Sequence, residues 1–213
     1  MQLNKESLAD QIRKELQNRI VNLEIDPGEK INVSGLVEEF GVSRAPVRDA
    51  LQSLVDQGLV EVKPRVGYFA IKLTPKQIKD ICEMRKLLES FALKKSIDRI
   101  PFEEMKEVRA KSLRLKEEKM NHGTLRELFD ETDEKLHRLI IEKSNNVLLK
   151  DFTGRTHNLI GITRHLNERI GEAIEEHIRI VNAILDKDLD KAKSELRNHL
   201  DNVEKEILSN HSI

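Results

Sequence analysis

Four residues between Val33 and Ala70 restrict the chain more than any others: Gly41, Ser43, Pro46 and Gly58. Ser34 can cap a short helix through Phe40, with Glu38 in its early turns. Gly41 follows where a helix C-terminus wants a residue that tolerates positive φ. Ser43 can cap a second helix, and Pro46 fits its first turn, where no intrahelical N–H bond is lost. That helix carries Val47, Leu51, Leu54 and Val55 on one face and Arg44, Arg48 and Gln52 on the other, and Gly58 ends it. Two short helices joined through a glycine turn are what a helix-turn-helix requires. Leu59–Val62 and Tyr68–Ile71 then read as strands, separated by the basic tip Lys63-Pro64-Arg65-Val66-Gly67. The stretch predicts a winged helix-turn-helix that reads double-stranded DNA. The first residues of its second helix enter the major groove, so Ser43, Arg44, Ala45 and Arg48 are candidate contacts to bases or phosphates. Lys63, Arg65 and Gly67 of the tip suit the backbone or the minor groove. A lone pair of arginines is more often a solvated helix face. The ordered succession of capped helices and basic hairpin tips the reading toward DNA.

Charge does not carry this reading. The 213-residue chain has a net charge of −1. Residues 1–73 hold ten Lys and Arg against eleven Asp and Glu. Any DNA contact must come from where cations are placed, not from a bulk basic field. There is no apolar run near the ~18 residues a membrane span needs and no stretch of signal-peptide kind, so a cytoplasmic protein is expected. The single Cys82 allows no intramolecular disulfide and fits a reducing compartment. With 35% charged and 3% aromatic residues, the expected core is aliphatic and helical.

The remaining chain is punctuated for helices. Leu8, Ile12, Leu16 and Ile20 step by four before the Asp26-Pro27-Gly28 turn. After Leu73-Thr74-Pro75, six helical stretches follow, from about 75, 101, 124, 147, 168 and 189, with Thr124 as the expected cap of the third. Their inward stripes are Ile78, Ile81, Arg85, Leu88, Ala92; Met105, Val108, Ser112, Leu115; Leu125, Phe129, Leu136, Ile140; Leu148, Phe152, Arg155, Leu159, Ile162; Ile170, Ile174, His177, Val181, Ile184; and Leu189, Ala192, Leu196, His199, Val203, Ile207. Short breaks between them predict an antiparallel all-helical bundle over residues 74–213, behind a DNA-binding domain over residues 1–73. The fold class is thus mostly α.

Polar residues on these apolar stripes carry the chemistry. His177 and His199 are equidistant from the Asp186-Lys187-Asp188 turn, so an antiparallel hairpin brings them to one height. Asp133 and His137 share a helix face at i, i+4. One Asp and three His make a plausible set for a divalent transition metal such as zinc, nickel or manganese. The competing reading leaves each histidine as a hydrogen-bonded core residue and pairs Asp133 with a Lys or Arg. His122, His157, His165 and His211 show no such pattern.

These residues resemble the GntR family of bacterial transcription regulators. The resemblance rests on Val42-Ser43-Arg44-Ala45-Pro46-Val47-Arg48-Asp49-Ala50-Leu51, on Gly58-Leu59-Val60 and on Arg65-Val66-Gly67-Tyr68-Phe69-Ala70. Ser34 stands where many members carry Arg, so the contacts made there by relatives are not carried over. The body is similar to the FCD effector domain of the FadR-type branch, through Arg85 and Glu89, Asp133-Glu134-Lys135-Leu136-His137, Ser144-Asn145-Asn146, Glu175-Glu176-His177 and Asn198-His199-Leu200. That resemblance implies that Asp133, His137, His177 and His199 bind the metal. It also implies a small organic acid effector. Arg85, Arg155 and Asn146 are the candidate contacts, and the competing reading of the two arginines is a buried ion pair, for example Arg85 with Glu89.

The expected protein is a homodimeric repressor that binds operator DNA and is modulated through a divalent metal and a small carboxylate effector. The competing readings are a metal-dependent hydrolase with an appended DNA-binding domain, and a regulator whose metal is purely structural. No HExxH, Gly-x-Ser-x-Gly or nucleotide-binding glycine loop supports an enzyme.

Overall fold

The computed structural model describes residues 7–210. The elements are α1 (Leu8–Val21), α2 (Val33–Phe40), α3 (Arg44–Asp56), β1 (Val60–Lys63), β2 (Gly67–Ala70), α4 (Pro75–Ser96), α5 (Phe102–Glu117), α6 (His122–Lys143), α7 (Val147–Leu166), α8 (Ile170–Leu185) and α9 (Leu189–Asn210). The protein is mostly α, with a small two-stranded sheet as the wing. The chain divides into two compact units. One runs to Thr74 and takes in residues 155–165 of α7; the other holds residues 75–154 and those from Leu166 onward.

In the first unit α1 lies on α3. Ile12, Leu16 and Ile20 of α1 and Val47, Ala50, Leu51 and Leu54 of α3 are buried there, whereas Leu8, at the start of the same stripe, is 56% exposed. Burying each such aliphatic side chain contributes roughly 1.5–3 kcal/mol, which outweighs the weak helix propensities of these short segments. The first helix of the motif starts earlier than expected. Asn32, not Ser34, is its N-cap, with Oδ1 accepting from the Gly35 N–H at 3.1 Å. Asn32 has the extended backbone that an N-cap requires, whereas Ser34 already lies inside the helix. Gly41 takes φ +64 and ends α2 in the left-handed conformation its lack of a Cβ permits. Ser43 occupies the N-cap position of α3, but its hydroxyl makes no capping bond.

The wing is an antiparallel hairpin pairing Val60 with Ala70, Glu61 with Phe69, Val62 with Tyr68 and Lys63 with Gly67. Both strands sit one residue from the expected positions. The residues before α2 dock beside β2: Gly28 N–H donates to Ala70 O, and Ile31 N–H to Tyr68 O. Arg65, at φ +63, turns the tip, and Lys63 Nζ stands 4.2 Å from the centroid of the Phe69 ring.

In the second unit the main core gathers Ala92, Leu93, Met105, Val108, Leu136, Ile140, Ile180, Val181, Ala192, Leu196 and Leu200. A smaller core joins Leu115, Phe129, Ile170, Ala173 and Ile174. The buried stripe of α4 is rotated from the expected one. Ile78, Cys82, Arg85, Glu89, Ala92, Leu93 and Ser96 are buried, while Ile81 and Leu88 are only half-buried. On α5 the buried residues are the four that its periodicity predicts. Asn121 caps α6 through the Thr124 N–H at 2.9 Å, so that helix begins before Thr124, the expected cap. On α7 the expected inward stripe fails at its start. Leu148 is 78% and Phe152 45% exposed, because Leu149 is the residue turned into the core. Asn145 takes φ +53 in the turn before α7, a conformation Asn tolerates better than most residues. Among the described residues no helix is long and apolar enough to cross a membrane.

Candidate metal centre and nucleic-acid interface

Three helices of the second unit converge on one buried cluster. Asp133 and His137 come from consecutive turns of α6, His177 from α8 and His199 from α9. One ligand atom from each lies within 4.8 Å of all the others, and all four residues are buried. Asp133 Oδ1 is 3.2 Å from His177 Nε2 and 3.5 Å from His137 Nε2. His177 Nε2 and His199 Nε2 are 3.4 Å apart. The α8–α9 hairpin explains this last approach: its antiparallel register also pairs Arg179 with Glu195.

The outer nitrogens are held by two carboxylates. His137 Nδ1 meets Glu89 Oε2 at 2.5 Å, and His199 Nδ1 meets Glu176 Oε2 at 2.8 Å. Each carboxylate has its own anchors. Arg85 Nε donates to Glu89 at 2.8 Å. Asn202 Nδ2 and Arg169 Nη2 donate to Glu176 at 2.8 and 3.1 Å. A carboxylate that accepts from Nδ1–H fixes the tautomer and turns the Nε2 lone pair inward, the arrangement common behind metal-bound histidines. His177 is steadied by Phe129, whose ring stacks on it at 5.4 Å between centroids with planes 4° apart.

Electrostatics agree with a cation site. Burial would raise Glu89, but Arg85 and His137 beside it hold its pKa down at about 2. Burial would likewise raise Glu176, yet its bonds from His199, Asn202 and Arg169 keep it at about 2. Burial pushes His199 down to about 4 and His177 below its ordinary value, so both are neutral at neutral pH. His137 goes the other way: burial opposes its proton, but Glu89 and Asp133 raise it. Its buried Nε2 has no hydrogen-bond partner. An orphaned imidazole nitrogen facing a carboxylate and two neutral imidazoles fits a divalent metal in its donor chemistry.

A pH dependence follows for the metal-free chain. His199 titrates lower in the folded than in the unfolded state, so its contribution is present above pH ~6.5 and is lost as pH falls toward its folded value of about 4. His177 acts in the same sense, and His137 opposes it. Thermal unfolding in chelator should therefore show stability falling between about pH 6.5 and 4, by on the order of 2–3 kcal/mol. A flat or rising melting temperature across that window would contradict the assigned environment of the pair.

The other expected contacts are placed as follows. Arg85 is buried; its Nε holds Glu89, while its Nη2 has no partner. Arg155 is exposed and belongs to the other compact unit. Asn146 caps α7, its Oδ1 accepting from the Leu149 N–H at 3.1 Å. His122 and His157 are exposed, His165 is half-buried, and His211 lies outside the described residues. Sequence reasoning assigned no role to Glu176 and offered Glu89 only as an ion-pair partner of Arg85. The signal was present in the spacing. Glu176 sits between Ala173 and Ile180, and Glu89 between Arg85 and Ala92, both on buried stripes.

In the first unit Ser43, Arg44, Ala45 and Arg48 are exposed together at the start of α3. Among the described residues neither arginine is tied to a carboxylate. Val47, between them and Leu51, is fully buried and fixes which face they present. Lys63 and Arg65 are exposed on the wing tip, and Gly67 closes its turn.

The sequence of residues 8–69 matches the family described as bacterial regulatory proteins, gntR family, and residues 80–202 match the FCD domain. The chain belongs to the GntR family and carries an FCD domain. A similar protein is the uncharacterised HTH-type transcriptional regulator YdhC of Bacillus subtilis, 32% identical over 89% of this chain and 86% of its own. The HTH-type transcriptional regulator LutR of the same organism is 29% identical over 89% of this chain and 96% of its own. Escherichia coli McbR/YncC shares the fold, with a TM-score of 0.76 at 19% identity over 97% of this chain and 99% of that one. The Zn2+-bound FCD domain of TM0439 is 32% identical, with a TM-score of 0.59, over 66% of this chain and 98% of its own. This GntR-family chain is a DNA-binding transcriptional regulator, and its relatives are regulators, not enzymes.

Proposed function

We propose that this regulator is a cytoplasmic, homodimeric repressor. Its helical domain holds a divalent metal and uses it, with a small carboxylate effector, to control operator binding. The buried quartet of Asp133, His137, His177 and His199 is the observation that carries this reading. These four residues would hold the ion, and the zinc in the similar FCD domain favours zinc over nickel or manganese. Such a metal supplies Lewis acidity and open coordination positions for an anionic ligand. Glu89 and Glu176 orient the imidazoles from outside. The unpartnered Nη2 of buried Arg85 supports a carboxylate contact there, because a guanidinium fork matches a carboxylate. Arg155 and Asn146 remain candidate contacts, Arg155 supported by its exposure and Asn146 by its place next to Asn145, whose φ is +53. On the output side, Ser43, Arg44, Ala45 and Arg48 enter the major groove, with Lys63, Arg65 and Gly67 beside the backbone. A two-fold dimer matches a palindromic operator.

Thermal melts separate the sensing reading from a purely structural metal. With a metal-loaded chain, a panel of small hydroxy- and dicarboxylic acids is expected to include one that raises the melting temperature. At a ligand concentration of 100 times Kd, the stabilisation is about 2.7 kcal/mol. The shift should vanish in chelator and in Arg85→Ala. Stabilisation that survives both would remove metal and Arg85 from the effector site.

A further inference from the structure

The wing carries a third extended edge, contributed by the segment before α2. Ala70 N–H donates to Glu29 O and Ile31 N–H to Tyr68 O, which sets Lys30 antiparallel and opposite to Phe69. Lys30 and Phe69 are thus a non-hydrogen-bonded pair, the kind whose side chains stand closest on one face. On the other side of β2, Glu61 is opposite Phe69 and Lys63 is opposite Gly67. Alternation along the strands then puts Lys30, Phe69, Glu61 and Lys63 on one face of the wing.

Lys30 leans along this face toward the tip. A Cβ built on Gly67 would lie 3.3 Å from Lys30 Cε, so the lysine stem crosses the bare backbone of Gly67. Gly67, at φ +137, has both the conformation and the missing side chain that leave this path open. Lys63 comes to the same face from the opposite strand, with Nζ over the Phe69 ring. Lys30, Lys63 and Arg65 are all exposed, and among the described residues none of the three has an ion-pair partner. The two nearest carboxylates in the strands do not serve. Glu29 accepts from the Asp26 N–H, and Glu61 stands beyond Phe69, two strand spacings or roughly 10 Å from Lys30. Unpaired cations gathered at one tip repel one another, and a phosphodiester strand relieves that repulsion. A lysine is a point charge on a flexible stem, which suits a phosphate better than the fixed pattern of a base edge.

We infer that Lys30, which lies outside the hairpin in sequence, is a DNA-backbone contact of the wing, its ammonium carried across Gly67 to a phosphate beside those met by Lys63 and Arg65. This rests on the wing reading above and adds a residue to it. Gel-shift titrations of the full chain at salt concentrations from about 50 to 200 mM test it. The probes are a duplex selected from genomic fragments by the wild-type chain and a random-sequence duplex. Lys30→Met keeps most of the stem over Gly67 and removes only the charge, so circular dichroism should not change. Binding should weaken at least ~10-fold at the lowest salt on both duplexes. The log–log salt slope should become shallower by ~1.8, about 0.9 for each protomer of a dimer. Lys30→Arg should restore both. An unchanged slope in Lys30→Met, beside shallower slopes in Lys63→Met and Arg65→Met, would overturn the Lys30 contact and leave the wing reading standing. No change in any of the three variants would overturn both. A loss confined to the selected duplex would overturn the phosphate contact, since phosphates carry no sequence information.

Discussion

Arg48→Ala is expected to lower operator affinity at least tenfold while leaving metal content unchanged. Arg48 is one turn into α3, exposed and, among the described residues, without a carboxylate to hold it, on a helix locked by buried Val47, Leu51 and Leu54. A bidentate contact to guanine contributes roughly 1–3 kcal/mol of discrimination, about five- to 150-fold per contact, and a dimer makes two. The domain has no net positive charge to compensate, so placement carries the affinity. DNA selected from genomic fragments by the wild-type chain supplies the probe for a gel-shift titration. Unchanged affinity would remove Arg48 from the interface. A uniform loss across all sequences, with a salt dependence shallower by about one, would reassign it to a phosphate.

The second large effect is in the helical domain. His177→Ala with His199→Ala should lower metal affinity by more than ~100-fold, since loss of even an outer-sphere partner costs 10–100-fold. Elemental analysis after dialysis against weak chelator reads the loss directly. Removing His199 leaves Glu176 with Arg169 and Asn202, so the buried carboxylate keeps partners and the fold should survive. The near-isosteric Asp133→Asn provides a second check, because it removes a charged ligand without opening a cavity. Equal metal per chain in wild type and in both variants would sink the site.

Much of this was legible in the sequence because helices obey a short-range period. The Gly41, Ser43, Pro46 and Gly58 punctuation located the reader, and the distance of His177 and His199 from one turn predicted that they meet. What the period could not resolve was phase. On α4 a shift of one residue exchanged Leu88 for Glu89 as the buried neighbour of Arg85, and with it hid the carboxylate behind His137. On α7 Leu148 and Leu149 compete for the same inward direction, and long-range packing chose Leu149. Caps were misplaced for a similar reason. Asn32 and Asn121 reach the same kinds of orphan N–H as Ser34 and Thr124 would, and local sequence does not rank them.

The proposed metal centre stands on one Asp and three His from α6, α8 and α9. X-ray absorption at the zinc edge of the zinc-loaded full chain tests it most directly. Three imidazole ligands at ~2.0–2.1 Å are expected, with oxygen as the remaining scatterer and no sulfur. Two or fewer imidazoles, or a sulfur from Cys82, would contradict it.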